Sequence, residues 1–222
     1  MRISTLNLNL ANKIYVGILS ALILATAYRI LQYKSWDRYY YDVSASAPSN
    51  FPIHIRTANL ILADGDESWL RTTSVNDGRP YWGYGDFEEP DTKERLPRKL
   101  VLGYASYRDQ SFYSDTIPLP EKALKDALKN GYKEIIVGIA NKGNIIVWMR
   151  NEKKEMVLLK HQIKPHEPVG DDTYYERRLS KKEYFENVFR LDSASLEDFR
   201  KGVDKDANYI DTPSLFTQRL TN

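Results

Sequence analysis

The chain has 222 residues, with 32 Lys and Arg against 30 Asp and Glu, 16 Tyr, 4 Trp and no Cys. Without cysteine there are no disulfides, thiol nucleophiles, zinc–thiolate sites or lipid-modified cysteine, and balanced charge makes a poor partner for nucleic acid, whose binding rests on phosphate neutralisation. Setting aside the first 27 residues removes Arg2 and Lys13 but no acid, and the remainder is long enough for one packed core without metal or disulfide staples.

Arg2 and Lys13 precede an apolar run from Ile14 to Tyr28, softened only by Gly17 and Ser20 over its first part, and Ala25-Thr26-Ala27 has the small-x-small pattern of a signal-peptidase site. As a helix this run reaches roughly 22 Å at 1.5 Å per residue, short of a hydrocarbon core about 30 Å thick. Recruiting Ile30 and Leu31 past Arg29 would complete a span. Arg29, Lys34 and Arg38 follow closely, and basic residues beyond an apolar segment resist translocation. A cleaved signal and an uncleaved anchor are both open, with a soluble core helix as the third reading.

The first two readings place the rest of the chain outside the cytoplasm if the N-terminus stays inside, released after cleavage or anchored by the N-terminal segment. The organisation is then residues 1–35 as signal or membrane anchor, 36–165 as an antiparallel β domain, and 166–222 as a helical C-terminal extension packed on it.

From Tyr39 to Ala47, Val43, Ala45 and Ala47 alternate with polar neighbours, the period of a half-buried strand. Pro48, Ser49 and Asn50 break it, a second strand runs from Ile53 to Leu62, and the two read as an antiparallel pair. Asn76 to Pro80 is a turn, and Tyr81-Trp82-Gly83-Tyr84-Gly85-Asp86-Phe87 mixes glycine and aromatics too closely for an interior strand. Leu100 to Tyr107 and Ser111 to Ile117 predict a hairpin across Arg108-Asp109-Gln110. Pro120 opens a helix carrying Ala123, Leu124, Ala127 and Leu128, closed by Gly131 in the left-handed region. Ile135 to Ala140 and Ile145 to Met149 predict a hairpin covered on both faces at the centre of the core, with Met156 to Leu159 returning as a third strand. Ser180 and Glu183 form a capping box for a helix over Lys181 to Leu191, with Tyr184, Phe185, Val188 and Phe189 as its apolar face. Ser195 with Asp198 marks a possible further helix, and Leu215, Phe216 and Leu220 a docked or frayed terminal turn. The fold class is mainly β (α+β), an antiparallel β-sandwich-like domain with one inserted helix and a helical C-terminal appendage.

Motifs for catalysis are weak. No serine sits in a Gly-x-Ser-x-Gly elbow, and Glu88 stands where Gly83 and Gly85 would need a third glycine to cradle phosphate. His161, His166, Glu167 and Asp171 match no ligand spacing and read as surface loop residues, and His54 reads as a solvated side chain on the polar side of its strand. Asp64, Asp66 and Glu67 form a fragment of a calcium loop without its alternation of oxygen ligands. No cofactor is expected. Asp86, Glu88, Glu89 and Asp91 offer a carboxylate pair to a cryptic hydrolase, although nothing in the spacing demands it. The stronger reading is a partner-binding surface, with Trp69, Tyr81, Trp82, Tyr84 and Phe87 as anchors and Asp86, Glu88 and Glu89 as a charged rim toward a basic protein.

Tyr81-Trp82-Gly83, Leu96-Pro97-Arg98-Lys99-Leu100, Phe112-Tyr113, Leu119-Pro120, Ile135 to Ile139 and Gly143 to Trp148 together resemble a bacterial family of envelope proteins catalogued as domain of unknown function 2931. The likeness covers about Tyr39 to Ile163. Members look like lipoproteins with a cysteine after the signal, and this chain departs from them in having none. The resemblance supplies no catalytic residues. Small envelope families of this kind include immunity partners of secreted antibacterial toxins, among them lipases delivered by type VI secretion. The expectation is a non-enzymatic envelope protein-binding module, most specifically an immunity protein, reaching the membrane through its N-terminal segment. The rivals are a structural envelope component and the cryptic hydrolase.

Overall fold

The structure is a computed structural model that describes residues 9–48, 51–70, 82–83, 92–167, 179–188 and 212–221. It divides into two units, Met1–Arg38 and Tyr39–Asn222.

Among the described residues, the first unit consists of one α-helix, α1 (Leu10–Tyr33), of 24 residues, followed by a 3-10 turn over Ser35–Asp37. Asn9 caps it by accepting from the Asn12 N–H at 2.9 Å, and Lys34 ends it in the left-handed region at φ 47°. The helix runs through Ala25–Ala27 and past Arg29, because Ala, Arg and Gln are good helix formers and no glycine or proline intervenes there. Its length is therefore about 36 Å rather than the shorter span of the apolar run alone, enough to cross a bilayer core. Its mean hydropathy reaches 1.9, and none of its residues is buried.

The second unit is mainly β. One sheet contains β1 (Asp42–Ser46), β6 (Glu134–Ile139), β7 (Asn144–Arg150) and β8 (Glu155–Gln162), in the order β8-β7-β6-β1. A second, five-stranded sheet contains β2 (Ile53–Leu62), β3 (Glu67–Trp69), β4 (Pro97–Ser106), β5 (Ser111–Pro118) and β9 (Pro165–His166), in the order β9-β5-β4-β2-β3, and a further two-stranded ladder is also present. Neighbours are antiparallel except β1 and β6, which run parallel with Val43 opposite Ile135 and Ala45 opposite Val137. The predicted hairpins β4–β5 and β6–β7 form, and β8 returns as the third strand of the second.

The expected antiparallel pairing of the first two strands does not occur. β1 lies beside β6, whereas β2 pairs with β4 and β3 in the other sheet. Pro48 and Pro52 bracket the connection and lack the N–H groups that a tight hairpin needs at its end. Between them the Phe51 ring is fully buried in the core, so the chain crosses between sheets there instead of turning back.

Helix α2 (Glu121–Lys129) makes the second crossing, from β5 to β6, and buries Leu124 and Ala127. Gly131 at φ +84° closes it: its N–H reaches the Leu128 carbonyl, and the Tyr132 N–H reaches that of Ala127. This double bond pattern satisfies two terminal carbonyls and requires the left-handed residue that glycine provides.

Alternation along the strands decides what lies between the sheets. Ile135, Val137, Ile139, Ile145, Val147 and Met149 face Leu60, Leu100, Leu102 and Ile117 in one continuous core. The reverse face of β6 and β7 is also apolar, with Ile136, Ala140, Ile146 and Trp148 buried beneath Trp82. The reverse face of the five-stranded sheet buries Ala105 and Phe112 against Tyr184 and Phe185 of α3 (Lys181–Val188). Ser180 and Glu183 cap α3 reciprocally, the Ser180 N–H donating to Glu183 Oε2 at 2.7 Å and the Glu183 N–H to Ser180 Oγ at 3.3 Å. A last helix, α4 (Leu215–Thr221), follows Ser214, whose hydroxyl donates to Glu155 on β8. Residues 189–211, including the proposed Ser195 helix, lie outside the described residues.

Candidate functional site

Beside α3, the outer face of the five-stranded sheet sinks into an open groove of about 380 Å³. Its floor is a row across three strands, Thr57 of β2, Gly103 of β4 and Ser114 of β5, held side by side by the ladder register. Gly103 leaves the middle of the row bare: a Cβ there would lie 3.6 Å from the Cβ of Thr57 and 3.7 Å from that of Ser114. The β2–β4 register slips between Ile55 and Thr57, so Arg56 falls outside the regular alternation and lines the same groove. Bulges of this kind re-aim a side chain.

On β5, consecutive residues each bind a histidine. Asp115 Oδ2 meets His161 Nε2 at 2.8 Å, and Ser114 Oγ meets His166 Nε2 at 2.8 Å. The His161 hydrogen bond holds the Asp115 carboxyl below the ordinary carboxylate range. His166 Nδ1 lies 2.9 Å from the Glu167 carbonyl oxygen, which can only accept. That nitrogen therefore carries the proton of the neutral ring, and Nε2 accepts from the Ser114 hydroxyl. The Glu167 side chain pairs with Lys181 Nζ of α3 at 2.8 Å. The two histidines, expected on a surface loop, sit instead on strands β8 and β9.

His54 departs from expectation too. It is 8 % exposed, and its Nδ1 shares a 2.8 Å hydrogen bond with Tyr184 Oη of α3. Burial, aided by the nearby Arg56 charge, pushes its pKa down to about 4 from 6.5. The folded chain thus keeps His54 neutral over a pH range in which the unfolded chain protonates it. Its contribution to stability is full above pH 6.5, declines as pH falls toward about 4 and is constant below that. At about 1.4 kcal/mol per pH unit, the decline is on the order of 3 kcal/mol. Urea unfolding of wild type and His54→Gln across this range should show a steeper acid loss in the wild type, and parallel curves would refute the assignment.

Of the proposed partner-binding residues, Trp69 is 63 % exposed on the short edge strand β3. Trp82 is not a surface anchor. It is 5 % exposed, lies edge-on to Trp148 with ring centroids 5.0 Å apart, and donates its indole N–H to the Thr212 carbonyl at 3.0 Å. A large ring beside an apolar sheet face gains more from burial than from solvent contact. Tyr81, Tyr84, Asp86, Phe87, Glu88 and Glu89 lie outside the described residues, as does Asp91. In the acidic turn, Asp64 is 3.6 Å from Arg95 Nε, and Glu67 accepts from Asn59 Nδ2 at 2.7 Å. Among the described residues, no three His, Asp or Glu side chains are grouped to hold a metal ion.

A mainly β body built on a four-stranded sheet with one parallel pair and a five-stranded antiparallel sheet, with helices on its flanks and an apolar helix before it, defines a β protein compatible with a signal sequence or a membrane anchor. The chain belongs to the family described as "Protein of unknown function (DUF2931)", whose model matches residues 28–211. No curated protein and no solved structure matches it.

Proposed function

We propose that the chain is a protein-binding module of the bacterial envelope, held at the inner membrane by α1 with its β body in the periplasm. Its partner on this reading is a secreted antibacterial toxin, of the lipase type delivered by type VI secretion, which it neutralises as an immunity protein. The observation that supports this reading is α1: an apolar helix of 24 residues with no buried side chain, joined to a body that has its own core. A helix of that length left in water would expose a large apolar surface, and a bilayer removes that cost. Trp69 supplies the body with an exposed aromatic anchor on a sheet edge.

The test is co-purification of the full chain with the toxin encoded beside it, together with survival of a deletion strain against toxin-bearing sister cells. Retention of the toxin and loss of survival are expected. Trp69→Ala should weaken the complex by tenfold or more, an effect of roughly 1.4 kcal/mol or above. Equal survival without the gene, and no retained toxin, would leave a structural envelope component. N-terminal sequencing of the membrane fraction should find α1 still attached; a start after Ala27 would show release instead.

A further inference from the structure

We infer that Ser114 is a nucleophile activated by His166 and that the groove above Gly103 takes a small carboxylic ester. This goes beyond the binding role and does not rest on it. Three features converge. Ser114 is exposed at the groove, so its Oγ is open to a ligand. His166 accepts the hydroxyl proton at 2.8 Å, and its tautomer is fixed from behind by the Glu167 carbonyl at 2.9 Å. This is the order of groups that acyl transfer uses: nucleophile, base and the group that orients the base. Arg56 lines the same groove and supplies the positive charge that a developing oxyanion requires.

The reaction balances without a cofactor. The Ser114 hydroxyl proton moves to His166 Nε2 as Oγ bonds to the ester carbonyl carbon. Collapse of the tetrahedral adduct breaks the bond to the alcohol oxygen, which takes that proton and leaves as the alcohol. Water then attacks the acyl-serine by the same route, releasing the carboxylic acid and restoring Ser114. The orienting group is a neutral carbonyl rather than a carboxylate, so it fixes the tautomer without stabilising the imidazolium by a full charge. That suits esters better than amides, whose poorer leaving group demands a stronger acid–base pair. A groove of about 380 Å³ accommodates a short acyl chain.

The full chain in detergent micelles, treated with an alkyl fluorophosphonate and followed by intact mass and peptide mapping, tests the assignment. Wild type should gain a single adduct on Ser114. Ser114→Ala should gain none. His166→Ala should react about a hundredfold more slowly or worse, the loss expected for a general base. Gly103→Val, which fills the groove floor and leaves the pair in place, should also block labelling. All three variants must first keep the wild-type unfolding midpoint, which sets a folding defect apart from a chemical one. An adduct elsewhere, no adduct in wild type, or an unchanged rate in His166→Ala would overturn the inference, and none of these outcomes bears on toxin retention.

Discussion

Gly143→Ala is expected to destabilise the body by about 2–5 kcal/mol. Two independent costs combine. Gly143 adopts φ +77° at the turn between β6 and β7, a conformation that costs an L-residue with a Cβ roughly 1–2 kcal/mol. The added Cβ would also collide with the Ile163 carbonyl oxygen and lie 2.9 Å from Tyr113 Cε1. The obstacle is main chain, which cannot rotate away, and overpacking of this kind costs about 1–3 kcal/mol. The same turn holds Ile163 through its N–H to the Gly143 carbonyl at 2.8 Å, so any relief lengthens that bond. Urea unfolding followed by tryptophan fluorescence would measure the loss. A midpoint within error of wild type would mean that the β8–β9 corner is seated differently.

Arg150→Met should cost about 2–4 kcal/mol and loosen the C-terminal segment. Arg150 is 3 % exposed at the end of β7, where three groups converge on its guanidinium. Its Nε pairs with Glu134 Oε2 at 2.5 Å, its Nη1 donates to the Gly83 carbonyl at 2.8 Å, and the Phe216 ring lies 4.9 Å from Cζ. Removing one partner from a buried pair costs about 3–5 kcal/mol because the other charge remains. Glu134 is a quarter exposed, so water recovers part of that cost and the lower figure applies. Gly83 and Phe216 come from distant parts of the chain, and the substitution takes the hydrogen-bond donor from the first and the cation over the ring from the second. Limited proteolysis should therefore cut near residues 212–221 sooner in the variant, while the far-ultraviolet spectrum of the sheets changes little. Equal cutting rates would show that Ser214 and Thr217, both bonded to Glu155, hold the segment without Arg150.

What the sequence made legible were features encoded within a few residues. The hairpin turns after β4 and β6, the Gly131 closure of α2 and the Ser180–Glu183 cap all depend on neighbours in the chain, and all stand where periodicity and turn chemistry put them. Pairings between distant segments were not legible. β1 reads equally well beside β2 or beside β6, because alternation says which face is buried but not which strand lies alongside. His54 looked solvated because its cover, Tyr184, lies 130 residues away on a helix whose docking place no local pattern announces. Trp82 looked like a surface anchor because the glycines around it signalled a loop, although a loop can carry its aromatic residue into a core. Ser114 carried no signal at all: its histidine is 52 residues away, and an alternating Ser in a strand is ordinarily just a polar face.

The short passage from β8 to β9 bears on folding kinetics as well. Ile163 joins the two hairpins: its amide donates to the Gly143 carbonyl at 2.8 Å, and the residues just after it, Pro165 and His166, pair with Tyr113 and Phe112, so these contacts need both hairpins in place. Contacts completed after the rate-limiting barrier leave the refolding rate almost untouched and govern how fast the native state is lost. The corner acts as a clasp, and weakening it should shorten the lifetime of the folded body far more than it delays its formation.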